Sequence, residues 1–135
     1  ELLLDLLEEV LSGVPLPAAT EALVRRQGHP MLGLPWNRLL EMETRTALSR
    51  GIGTVCYVEQ ALPAVFYLCW KHGDDPEAAL VENTMAGGDN CYRGATLGGL
   101  LAAAHGSEGF PEEWVDGLKH LPRSIPEREG KGFRT

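Results

Sequence analysis

Ala86-Gly87-Gly88-Asp89-Asn90-Cys91-Tyr92-Arg93-Gly94-Ala95-Thr96-Leu97-Gly98-Gly99-Leu100-Leu101-Ala102-Ala103-Ala104-His105-Gly106 decides how this chain is read. The paired glycines free the backbone to turn, and Asp89 follows where a helix N-cap belongs. Behind it runs a helix-length segment in which small residues recur every four positions, at Gly94, Gly98, Ala102 and Gly106. That stripe predicts a closely approaching neighbour helix. An acidic residue on a glycine hinge at a helix start is an arrangement for a buried polar site, and helix N-termini attract anions. The plain alternative is that Asp89 caps its own helix and does nothing else. Glycines 87 and 88 remove side chains where a ligand can approach. Gly87, Gly88, Asp89, Asn90, Tyr92 and Arg93 are therefore the candidate ligand-contacting residues.

Working outward, the chain reads as successive helices. Glu1 to Ser12 places Leu3, Leu6, Leu7, Val10 and Leu11 at helical spacing and closes on Gly13. Pro17 to Gln27 is a second helix ending at Gly28, and His29 to Pro35 is a loop in which His29 is read as a solvated residue. Trp36 to Arg50 is expected as one helix, with Leu39, Leu40, Met42 and Ala47 inward and Arg45 and Arg50 outward. From Gly53 to His72 the sequence is apolar nearly all round, which belongs at the centre of a bundle. Pro63 is expected to kink it or to mark a restart near Ala61. Asp74-Asp75-Pro76-Glu77 has the capping aspartate, first-turn proline and acid of a helix start, and that helix is expected to reach about Thr84. The small-residue helix from Asp89 to His105 follows. Phe110-Pro111-Glu112-Glu113-Trp114 opens a last short helix with Trp114, Val115 and Leu118 inward. No stretch alternates as a strand does. The expected fold is all-α, an orthogonal or irregular helical bundle over residues 1–121, with a polar, flexible tail over 122–135.

The chain has 135 residues, 44% hydrophobic and 23% charged, which suits one globular domain or a part of one. A net charge of -7 argues against a nucleic-acid backbone or an anionic membrane as partner. Cys56, Cys69 and Cys91 are odd in number and lack a CxxC spacing, so they are read as reduced thiols in a cytoplasmic protein. Cys56 and Cys69 lie in apolar sequence and are expected in the core. No uncharged apolar run reaches the roughly 18 residues of a membrane span. The chain opens on Glu1 inside an apolar pattern and is expected to be a segment of a longer protein.

Gly87-Gly88-Asp89-x-x-x-x-Gly94-Ala95-x-x-Gly98-x-Leu100-Leu101-x-Ala103-x-x-Gly106, behind the helix Ala78-Ala79-Leu80-Val81-Glu82-Asn83, resembles the C-terminal signature of the ADP-ribosylglycohydrolase family. Cys56-Tyr57-Val58-Glu59-Gln60-Ala61-Leu62-Pro63-Ala64 resembles that family's central helix, and Phe110-Pro111-Glu112-Glu113-Trp114 its proline-tryptophan turn. The similarity covers residues 50–121. It implies an all-α bundle of which this chain is the C-terminal portion, because the Thr-Asp-Asp cluster of the family's N-terminal half has no counterpart here. It also implies two divalent ions, Mg2+ or Mn2+, held between that cluster and a C-terminal Asp-Thr-Asp-Thr. Hard cations favour oxygen ligands and can orient a ribose and activate water at its anomeric carbon. On that motif Asp89 falls on the first aspartate, Asn90 on the first threonine, Cys91 on the second aspartate and Tyr92 on the second threonine.

Asp89 is thus the one metal ligand carried over, with Asn90 and Cys91 as weak substitutes, since a thiolate is soft and poorly suited to magnesium. Arg93, one helical turn beyond Asp89, can neutralise it in place of a metal and can offer a fork to phosphate. His105 is read as helping to close its own helix. Glu59 is taken as a buried carboxylate needing a partner, either across a helix interface or in the pocket, with Gln60 beside it. Tyr92 is read as core, with adenine stacking as the alternative, and Asn83 as a helix-end residue. The resemblance implies a hydrolase that cleaves ADP-ribose from an acceptor, with ADP-ribose or an ADP-ribosylated substrate as its partner. The alternatives are a structural protein, as in lens crystallins of the same family, and a metal-free nucleotide-binding module built on Arg93. Absent N-terminal helices are expected to leave an apolar face that invites self-association.

Overall fold

Residues 62–69 are buried without a break, and this run fixes the centre of the molecule. It lies in a helix that meets neighbours on every side, as its all-round apolar composition demands. The computed structural model describes residues 1–118; the tail expected over 122–135 lies outside them. The described residues form helices and loops, with no strand among them. They are α1 (Leu2–Leu11), α2 (Leu16–Gln27), α3 (Trp36–Glu41), α4 (Thr44–Thr46), α5 (Val58–His72), α6 (Pro76–Met85), α7 (Asn90–His105) and α8 (Glu112–Asp116). The architecture is all-α, as the sequence implies.

α5 is the hub: α2, α6 and α7 pack on it, and α1 bridges α2 and α7. Leu6, Leu16, Leu23, Phe66, Leu68, Leu97 and Leu101 fill the space between them. Gly13 and Gly28 take positive φ where α1 and α2 stop, the conformation a side chain resists. Asp75 caps α6 by accepting the Ala78 N–H at 3.0 Å, with Pro76 at the first helical position. His105 does not close its own helix. Its Nε2 reaches the Gly73 carbonyl at 2.6 Å and so ties the end of α7 to the end of α5.

Several expectations change. The helix expected over Trp36 to Arg50 breaks at Met42, whose backbone is extended. Glu43 then restarts it: its carboxylate accepts the Arg45 and Thr46 N–H groups at 3.0 and 2.8 Å, and these bonds, Arg45's first, hold the Glu43 carboxyl below its ordinary value. α4 runs on as a π-helical turn over Ala47–Ile52. The central helix begins at Val58 rather than Gly53 and continues through Pro63. Residues 53–57 form a loop that leaves Cys56 exposed, and Glu59, on the first turn of α5, is exposed rather than buried. Cys69 is the buried thiol, and burial pushes its ionisation up. The short α8 leaves Trp114 and Leu118 substantially exposed instead of burying them.

His72, at the end of α5, shares a 2.8 Å hydrogen bond with Thr44 Oγ1. Burial, and then Lys71, hold it below its ordinary value of 6.5, against the opposing pull of Glu82 and Asp75. The neutral ring is therefore the form the fold favours. Its contribution to stability is complete above pH 6.5 and is lost as pH falls through the lowered value. Urea denaturation across that window is expected to show a falling midpoint in the wild type and a flatter profile in His72→Gln, which keeps a polar partner for Thr44 but does not titrate.

Candidate functional site

Two consecutive left-handed glycines carry the chain from α6 into α7: Gly87 has φ +71° and Gly88 +64°. At Gly88 the constraint is double, because a Cβ there would lie 2.2 Å from the Thr54 carbonyl oxygen. The room at Gly88 is therefore taken by Thr54, not left for a ligand, whereas nothing lies within 4 Å of the Cβ direction at Gly87. Asp89 stands at the N-cap position but makes no side-chain capping bond. Asn90 steadies the turn instead, its Nδ2 donating to the Gly88 carbonyl at 3.3 Å.

The Asp89 carboxylate is thus half-buried at a helix N-terminus, with no hydrogen bond or ion pair to it among the described residues. It lines a cleft of about 200 Å³ between α1, α5 and α7. Leu3, Val58, Ala61, Leu62 and Val65 make the apolar walls, and Cys56, Tyr92, Arg93 and Thr96 complete the lining. Tyr92 is 78% exposed, so it is a wall of this cleft and not the core residue its sequence suggests. A second cleft, of about 380 Å³, adjoins the first through Leu3, Val58 and Leu62 and extends to His29 and Met31. There His29 Nδ1 accepts the Met31 N–H at 3.2 Å.

Arg93 corrects the sequence reading most. It is 2% exposed and sits on the core stripe of α7 with Leu97, Leu100 and Leu101. Its Nε donates to Asn83 Oδ1 at 2.6 Å, and its Nη2 to the carbonyls of Asn83 and Gly87 at 3.0 and 2.8 Å. Its Nη1 donates to the Thr54 carbonyl at 3.3 Å. A guanidinium so engaged spends its fork on the fold, which does not favour a phosphate-binding module built on Arg93, although Arg93 borders the Asp89 cleft. Burial pulls its ionisation down from the ordinary arginine value, and the Asp89 charge acts the other way. Asn83, read from sequence as a helix-end residue, is 2% exposed and is the main partner of this cation. The spacing held the signal for both: Arg93 lies four and seven residues before Leu97 and Leu100, and Asn83 four after the buried Ala79.

The small-residue stripe has a narrower use than expected. A Cβ at Gly94 would lie 2.9 Å from Asn83 Nδ2, but nothing lies within 4 Å of that position at Gly98 or Gly106. Only Gly94 admits a close neighbour. Glu59 is exposed and outside the cleft lining, while half-buried Gln60 accepts the Val55 N–H at 3.5 Å.

The donor set does not make a magnesium or manganese centre by itself. Among the described residues no three His, Cys, Asp or Glu side chains converge, and Asp89 is the only acid lining its cleft. Cys91 is exposed on the first turn of α7 and does not line that cleft. What the arrangement offers is one unpaired carboxylate beside apolar walls, able to accept hydrogen bonds from hydroxyls or to orient water.

A sequence model of the ADP-ribosylglycohydrolase family matches residues 2–131. The chain belongs to that family, and the match extends the resemblance from α5–α8 back through α1. No curated protein and no solved structure matched the chain. No helix of the described residues is long and apolar enough to cross a membrane.

Gly88→Ala is expected to destabilise the fold by more than about 1 kcal/mol, since it adds a Cβ at positive φ against backbone. Gly87→Ala meets the same strain without the clash, so its denaturation midpoint is expected to fall less. Equal losses in the two variants would contradict the close approach of Thr54.

Proposed function

We propose that the protein carrying this chain hydrolyses the glycosidic bond between ADP-ribose and an acceptor, and that Asp89 is the carboxylate this chain brings to the reaction. Family membership supports the reaction class. The observation that carries the site is Asp89 itself, half-buried, unpaired among the described residues and lining a cleft. Such a cleavage builds positive charge on the ribose, and a fixed carboxylate in apolar surroundings stabilises that charge better than water does. The apolar wall of Val58, Leu62 and Val65 excludes water from one side, and the exposed ring of Tyr92 gives a flat surface for a sugar or base. A divalent ion would use Asp89 as one ligand and draw the rest from outside residues 1–118. The same reasoning expects these 135 residues alone to bind without turning over.

A thermal-shift titration with ADP-ribose, with magnesium and with chelator, tests the reading on the wild type and Asp89→Ala. At a hundredfold excess over Kd, binding is expected to stabilise the wild type by about 2.7 kcal/mol. Asp89→Ala is expected to lose that gain. A full shift in Asp89→Ala would remove the site assignment, and a wild type without any shift would remove ADP-ribose as its ligand. A shift that requires magnesium would place the missing ligands in the complete protein.

A further inference from the structure

The Asp89 carboxylate has no partner of its own, yet the backbone around it is held on both sides. Its N–H donates to the Thr54 carbonyl at 2.9 Å. The Gly87 carbonyl before it accepts from Arg93 Nη2 at 2.8 Å, and the Asn90 carbonyl after it accepts from Asn83 Nδ2 at 3.0 Å. Every one of these holds leads to Arg93. It bonds Gly87 directly, shares the Thr54 carbonyl with Asp89, and fixes both the side chain and the carbonyl of Asn83. Taking the hydrolase reading of Asp89 as its basis, we propose that Arg93 is a positioning residue, a buried fork that sets the Asp89 turn through Thr54 and Asn83 so that the carboxylate faces the cleft.

Core packing does not account for a charge in this place. An apolar side chain on the same stripe would pack beside Leu97 and Leu100 without desolvating a cation, but it would leave the Asn83 and Gly87 acceptors without their donor. What an apolar residue cannot do is tie the 53–57 loop, the end of α6 and the start of α7 at one point. The glycines are fitted to the same intermediaries. Gly88 leaves room for the Thr54 carbonyl and Gly94 for Asn83 Nδ2. Lysine would not substitute, because a single ammonium lacks the planar fork that reaches acceptors in three segments at once.

The test combines amide hydrogen exchange with an ADP-ribose titration on the wild type, Arg93→Lys and Asn83→Asp. The second variant keeps an acceptor for Arg93 Nε but sets a carboxylate oxygen against the Asn90 carbonyl in place of the donor, breaking the hold after Asp89, so it carries the test if Arg93→Lys does not fold. In both, exchange at the Asp89 amide is expected to rise by at least roughly tenfold while α2 and the buried run of α5 keep their protection. ADP-ribose affinity is expected to fall by roughly tenfold or more at a temperature where the variants are fully folded. Unchanged protection at Asp89, or an equal loss throughout α2, α5 and α7, would overturn the proposal. If the wild type fails to bind ADP-ribose while Arg93→Lys still releases the Asp89 amide selectively, the hydrolase reading falls and the clamp stands as a structural one. Selective release together with weakened binding upholds both.

Discussion

A single buried cation organises the functional end of this molecule. Arg93 is almost wholly removed from water, and its guanidinium is satisfied by the side chain and carbonyl of Asn83 and the carbonyls of Gly87 and Thr54. A buried acceptor left bare costs about 1–3 kcal/mol. Breaking this arrangement by removing the arginine would orphan several at once. Among the described residues Asp89 makes no direct bond to it, yet its negative charge favours the guanidinium across the turn. The site is therefore a pair of opposite charges that both border the cleft, one locked into the fold and the other left unbonded among the described residues.

The lock works because α5 gives it something rigid to act against. Burial of residues 62–69 on all sides makes that helix the member on which α2, α6 and α7 are placed. The bond from His105 to the Gly73 carbonyl pins the far end of α7 to the same helix. At the near end the 53–57 loop precedes α5, and Thr54 in that loop receives both the Asp89 N–H and Arg93. The cleft opens between these fixed points, and its apolar wall runs along α5 from the exposed Val58 to the buried Leu62 and Val65.

Much of this was legible in the sequence where local chemistry decides. The Asp75-Pro76 start of α6 and the glycine stops at Gly13 and Gly28 rest on capping and φ preferences that need no tertiary partner. The Gly-Gly-Asp signature also led to the right family, which matches over nearly the whole chain. The misreadings share another cause. Cys56, Glu59 and Tyr92 were assigned to the interior from apolar surroundings, but whether a face is buried depends on what packs against it. Arg93 failed in the opposite sense. Composition says that arginine belongs outside, while its spacing from Leu97 and Leu100 puts it inside, and only Asn83 and the carbonyls of a distant loop make that position tolerable. The break at Met42 was hidden because Glu43 is an unusual cap whose effect depends on the turn it closes.

The central claim is that the Asp89 cleft is where this chain meets its ligand. Amide chemical shifts followed by NMR during an ADP-ribose titration test it most directly. The account predicts that the largest changes fall on Cys56, Asp89, Tyr92 and Thr96, which line that cleft. Changes centred instead on the acidic depression of Asp5, Glu8 and Arg26, or on His29 and Met31 alone, would contradict it.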